Sequence, residues 1–95
     1  MKNRHVSVYV LRSLRDKKRY IGISRDKDAR LDEHNLGKAG ATRFRRPLVR
    51  TYFETFENLA EGRRREKYFK TAAGRRYLDQ VETPIWEKLK QALEM

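Results

Sequence analysis

The stretch YIGISRDKDARLDEHN, residues 20–35, constrains this chain more than any other. It reads as a short strand ending at Gly22, a turn, and then a helix. Asp26 is a good N-cap, Asp28 suits the positive end of a helix dipole, and Gly37 is a good stop. Arg30 and His34 are four residues apart, so a helix stacks them one turn apart on a single face. A phenol on the strand, with a guanidinium and an imidazole on the helix, can then converge on one small volume. Those are groups suited to handling a phosphodiester.

The rest of the chain supplies a frame for that stretch. Residues 5–12, HVSVYVLR, alternate as a strand does, with Val6, Val8 and Val10 on one face and Ser7, Tyr9 and Leu11 on the other. A polar turn at Arg15-Asp16-Lys17-Lys18 leads into a second strand over 19–23, giving an antiparallel hairpin. Tyr9 and Tyr20 meet on neighbouring strands if the register permits. The helix is expected over 28–36. Residues 36–46, LGKAGATRFRR, combine two glycines with Lys38, Arg43, Arg45 and Arg46. Two readings stay open there, a solvated connector or a flap that grips phosphate. Pro47 introduces an aromatic and β-branched third strand over 48–56.

Asn58, with Glu61 three residues on, has the form of a capping box, and the helix it opens runs to about Lys70. Gly74 is expected to interrupt, leaving RRYLDQV as a short third helix. Thr83-Pro84 starts a last one, in which Ile85, Trp86, Leu89 and Leu93 recur at helical spacing. The order β-β-α-β-α plus C-terminal helices defines an α+β (α/β-like) fold. Its small three-stranded sheet, antiparallel or mixed, is flanked by helices. Residues 1–80 are expected to form the main domain. Residues 81–95 are expected to form an amphipathic helix that packs on it, with a homodimer or protein partner as the alternative.

Composition narrows the partners. With 24 Lys plus Arg against 13 Asp plus Glu, the formal net charge is +11, where a small domain usually carries about 2–8. The excess points to a polyanion, nucleic acid ahead of anionic membrane. No cysteine is present, which excludes disulfides, thiolate zinc sites and a cysteine nucleophile. Two histidines without clustered partners argue against zinc. No apolar run is long enough to span a bilayer, and MKNRH lacks the apolar core of a signal peptide, so a reduced, cytoplasmic setting is expected.

Four short motifs stand in order along the chain. They are Ser7-Val8-Tyr9, Tyr20-Ile21-Gly22, ARLDEHN at 29–35 and RRREKYFK at 63–70. Over residues 6–78 this series resembles the GIY-YIG nuclease superfamily, in particular its small stand-alone bacterial members related to the N-terminal nuclease module of the excinuclease. Ser7 stands where the first motif has glycine, and Ile23 where some members have lysine.

The resemblance implies one divalent ion, Mg²⁺ or Mn²⁺, held by Glu66, and an arginine, Arg30, that clamps the non-bridging phosphate oxygens. It implies that Tyr9 or Tyr20 positions the attacking water and serves as base or relay, with His34 orienting a hydroxyl or shuttling a proton. Arg43, Arg45, Arg46, Arg64, Lys67 and Lys70 are candidates for backbone phosphate contacts. Each residue also has a plainer reading: Glu66 pairing with Lys70 at i+4, Arg30 pairing with Asp26, the tyrosines packing in a sheet. The implied activity is metal-dependent endonucleolytic hydrolysis of DNA, structure-selective and tied to repair or recombination. Two other readings stand beside it: a nucleic-acid-binding module without useful catalysis, and a subunit targeted by a partner protein. Nothing resembles a recognition helix or zinc finger, so base-specific readout is not supported.

Overall fold

A computed structural model describes residues 5–95; the amino-terminal MKNR, on which the targeting expectation falls, lies outside them. The elements are β1 Val6–Ser13, β2 Arg19–Ser24, α1 Lys27–Asn35, a 3-10 helix Gly40–Arg45, β3 Leu48–Phe56, α2 Leu59–Phe69, α3 Ala72–Val81 and α4 Thr83–Leu93. The three strands form one antiparallel sheet in the order β2-β1-β3. An α+β class with helices flanking a three-stranded sheet is therefore what the chain adopts.

Because β1 is central, both of its faces are covered, and its alternation separates two layers of core. Val8 and Val10 pack against Phe69 of α2 and Leu78 of α3, with Ile21, Ile23, Tyr52 and Phe56 around them. Full burial of side chains such as Phe69 and Leu78 contributes about 1.5–3 kcal/mol each. On the opposite face Tyr9 and Leu11 pack with Leu48, and Tyr20 and Leu31 close over them. This second layer lies under α1 and carries the polar groups.

Helix boundaries follow their caps. The Asp26 side chain accepts from the Ala29 amide at 3.0 Å, and Gly37 ends α1 with φ +80°, a conformation glycine adopts without strain. Asn58 caps α2 by accepting from the Glu61 amide at 2.9 Å. Two expectations need correction. Gly74 does not interrupt the chain: it sits in the first turn of α3, capped by Thr71, where an added Cβ would collide with the Tyr68 carbonyl. Nor are residues 36–46 only a loop, since Gly40–Arg45 form a 3-10 helix. The 3-10 helix is anchored by Arg45, whose Nε donates to Asp16 at 2.7 Å, and by Ser13 Oγ, which donates to the Arg45 carbonyl at 2.6 Å. The Arg45 bond and the Lys18 amide pull the Asp16 carboxyl down to about 2.

A buried carboxylate joins the C-terminal helices to the sheet. Arg12 and Arg19 face one another across β1 and β2, a like-charge cross-strand pair that is unfavourable alone. Glu82, at the α3–α4 junction, sits between them and is fully buried. Arg12 donates to both of its oxygens at 2.9 Å, and Arg19 Nε donates at 2.7 Å. A bulge in β3 leaves Thr51 without a ladder partner, and its hydroxyl donates to Glu82 at 2.6 Å. Above the same cluster, Arg12 lies 5.5 Å from the ring centroid of Trp86, the buried anchor of α4.

Burial alone would raise the Glu82 carboxyl, but the bonds from Arg12, Thr51 and Arg19 outweigh it and hold it below its ordinary value. Its stabilising contribution is therefore in place above the ordinary carboxylate range and is lost as pH falls through the lowered folded value. Glu82→Gln should reduce unfolding free energy by about 3 kcal/mol in a urea titration at pH 7. The difference from wild type should shrink as pH falls through that folded value, and an equal loss at every pH would contradict the assignment.

Candidate active site

The phenol of Tyr9 is the centre of the second layer. Tyr9 pairs across the ladder with Gly22, and a Cβ at that glycine would fall inside the phenol. Gly22 is therefore required by close approach: it leaves the space in which the Tyr9 hydroxyl sits. Tyr20, two residues earlier on β2, pairs with Leu11 and so lies diagonal to Tyr9 on the same face. The register thus permits the meeting that the strand pattern left conditional.

Helix α1 brings His34 over both rings. The Tyr9 hydroxyl is 2.9 Å from His34 Nε2, and the His34 ring lies edge-on to Tyr20 at a centroid distance of 5.1 Å. His34 is fully buried, and its other nitrogen, Nδ1, is 2.6 Å from Thr42 Oγ1. Thr42 in turn donates to the Ala39 carbonyl at 3.4 Å. A carbonyl can only accept, so it sets the sense of the chain: Thr42 O–H to Ala39, His34 Nδ1–H to Thr42, Tyr9 O–H to His34 Nε2. Thr42 belongs to this buried hydrogen-bonded chain, and the sequence did not reveal it. It lies eight residues beyond His34 across a turn, and no regular spacing connects the two.

Arg30 acts on the same phenol from one turn earlier in α1. Burial pushes the Tyr9 phenol up, the Arg30 guanidinium pulls it back, and Tyr20 and Glu66 push it up again, leaving it above the ordinary 10.0. Burial and then the charge of Arg30 hold the His34 imidazole below its ordinary 6.5, so it is neutral at pH 7. Arg30 also pairs with Glu33 at 3.5 Å rather than with Asp26, which serves as the cap.

Glu66 lies one turn beyond Gly62, the α2 residue that packs directly on Val6 and Ile23. Its charge reaches Tyr9, and its carboxylate is partly exposed and 3.2 Å from Lys70. Tyr9, Tyr20, Arg30 and His34 are thus brought together from β1, β2 and α1, and Glu66 of α2 is near enough for its charge to act on Tyr9. The basic candidates divide. Arg43, Arg46, Arg64, Lys67 and Lys70 are exposed, while Arg45 is held by Asp16. Among the described residues, no group of three His, Cys, Asp or Glu side chains could hold a metal. A lone, partly exposed carboxylate instead suits a hard ion that keeps most of its shell as water and substrate oxygen.

Residues 5–78 match the GIY-YIG catalytic domain, and the chain belongs to that family. The match supports a nuclease-type function and, with it, a nucleic-acid substrate. The UPF0213 protein of Staphylococcus haemolyticus is 37% identical over 76 residues, covering 79% of this chain and 92% of that protein. A UPF0213 protein of Clostridium perfringens is 41% identical over 64 residues, 66% of this chain and 68% of its own length. The solution NMR structure of a UPF0213 protein from Bacillus halodurans is 28% identical, with a TM-score of 0.50 over 82% of this chain and 85% of that one. Glu82 and α4 lie beyond the matched residues of the family domain. No helix among the described residues is long and apolar enough to cross a membrane.

The charge relations in the site predict a titration. By NMR, the His34 imidazole should titrate below 6.5 in the wild type. In Arg30→Ala it should move back toward that value, since a neighbouring positive charge has been removed. An unchanged midpoint in Arg30→Ala would mean that the two side chains do not share one site.

Proposed function

We propose that this chain is a metal-dependent endonuclease that hydrolyses phosphodiester bonds in DNA. The observation that carries the reading is the hydrogen-bonded chain from Tyr9 through His34 to Thr42, with Arg30 beside the phenol and Glu66 within its field. Glu66 would hold the divalent ion, Mg²⁺ or Mn²⁺, which when bound supplies Lewis-acid polarisation of the phosphate. The Glu66–Lys70 pair does not oppose this. An exposed i,i+4 ion pair is worth about 0.3–0.5 kcal/mol and yields to a doubly charged cation.

Arg30 binds the non-bridging oxygens and neutralises the charge that builds on them, because its guanidinium is permanently charged and forked. Tyr9 handles the proton. Its O–H is already directed at His34 Nε2, so the phenol oxygen can take a proton from the attacking water while passing its own to the imidazole. His34 becomes imidazolium, and its Nδ1–H stays bonded to Thr42. A concerted transfer of this kind needs no free phenolate, and it therefore works with a phenol that burial holds protonated. Tyr20, half-buried beside the same imidazole, orients the water. The exposed cations of α2 and of residues 38–46 bind neighbouring phosphates, which makes affinity steeply salt-dependent. Selectivity for branched or nicked DNA and a place in repair or recombination belong to the same reading. The alternative, a binding module without turnover, keeps the salt dependence and drops the chemistry.

Cleavage of labelled duplex, single-stranded and branched DNA at low salt separates the two. The wild type should cut with Mg²⁺ or Mn²⁺ and stop with EDTA. Arg30→Ala should cut about 10²–10³-fold more slowly, the usual cost of removing one preorganised charge-stabilising donor, and Glu66→Ala should not cut. Equal binding and no cutting by all three proteins would leave the binding module.

A further inference from the structure

Two phenylalanine rings among the described residues stand exposed outside the core: Phe53, 44% exposed with Lys27 and Arg50 over its ring, and Phe44. Phe44, in the 3-10 helix Gly40–Arg45, is 74% exposed. Scattered apolar side chains at a surface are ordinary, but this one is neither loose nor isolated. On one side of it Thr42 is buried against His34, and on the other Arg45 is bonded to Asp16 and to the carbonyls of Lys18 and Arg19. Arg15 donates to the Phe44 carbonyl itself at 3.2 Å. The backbone is pinned on both sides, so the ring is presented to solvent from a fixed base.

Its surroundings are cationic. The Arg43 guanidinium lies 5.5 Å from the ring centroid. Arg15, Arg43 and Arg46, with Asn35 and Pro47, line an open cleft of about 370 Å³ beside the ring. An exposed π face set among three guanidiniums matches a ligand that has a flat π face of its own and a negative charge on either side. An unpaired nucleotide in a strand has both. A paired base does not, because its faces are already stacked within the duplex. An acidic peptide would satisfy the arginines and leave the ring without a counterpart.

We propose that Phe44, flanked by Arg15, Arg43 and Arg46, is a stacking site for an unpaired nucleobase of the substrate strand. The proposal deepens the nuclease reading and rests on it for the class of ligand. The ring stands on the same 3-10 helix as Thr42, whose hydroxyl meets His34. It also gives a chain without sequence-reading elements a way to distinguish single-stranded or flapped nucleic acid from uninterrupted duplex.

The test is fluorescence anisotropy with labelled single-stranded and duplex oligonucleotides of equal length, in EDTA so that nothing is cut. It compares the full chain with Phe44→Ala, Phe44→Leu and Phe44→Trp. Phe44→Ala and Phe44→Leu should bind the single strand about 5- to 100-fold more weakly, the range given by loss of one base–aromatic stack. Both should bind duplex within about twofold of wild type. Phe44→Trp should retain single-strand affinity. Undiminished single-strand binding in Phe44→Leu would overturn the proposal, since apolar area alone would then suffice. An equal loss on both ligands would overturn it too. Cleavage of the same oligonucleotides with Mg²⁺ is scored separately. Selective binding without cleavage leaves the stacking site in place and removes the nuclease reading, and cleavage with no Phe44-dependent difference does the reverse.

Discussion

A phenol cannot be buried without a hydrogen-bond partner except at a cost of about 1–3 kcal/mol, and the rest of the site follows from how that requirement is met. Tyr9 lies on the central strand, where both faces are covered, and Gly22 opens the space its ring occupies. The partner, His34, must come from α1, and its own second nitrogen must then be satisfied, which fixes Thr42 and with it the 3-10 helix. Sheet, helix and connector are therefore joined by one buried polar chain. Among the described residues, no buried side-chain polar atom is left without a partner.

The charge of the chain is divided between holding the fold and meeting a ligand. Arg12 and Arg19 are held by Glu82, Arg45 by Asp16, and Arg65 by Glu54, with the Arg65 guanidinium also stacked near Tyr68, Phe69 and Tyr77. Carboxylates that neutralise such structural arginines leave the exposed ones to carry the excess. Arg43, Arg46, Arg64 and Lys67 belong to that second group. The Glu82 cluster has a further consequence. Arg19 directly precedes Tyr20, so the residue that ties α3 and α4 to the sheet also fixes the strand carrying a site tyrosine.

Much of this was legible because it is local. Alternation at Val6, Val8 and Val10 marks a strand and its two faces, and Asp26 and Asn58 mark helix starts within a residue of where they occur. The spacing of Arg30 and His34 gave a shared helix face. What stayed hidden depends on contacts across the chain. Thr42 reaches His34 through a turn, Glu82 collects Arg12, Arg19 and Thr51 from three strands, and Gly74 serves a close approach to Tyr68 rather than a break. In residues 36–46 the local signals, glycine and arginine, point to flexibility and charge. The order of this stretch comes from Ser13, Asp16 and His34, which are distant in sequence.

In the proposed reaction the buried phenol of Tyr9, not the more accessible Tyr20, passes the water's proton to His34. Single-turnover cleavage by Tyr9→Phe and Tyr20→Phe, at saturating protein and matched metal, tests it most directly. A loss of about 10²–10⁴-fold is expected in Tyr9→Phe and of less than about tenfold in Tyr20→Phe. The reverse order would assign the proton to Tyr20 and leave the Tyr9–His34–Thr42 chain as a structural bond alone.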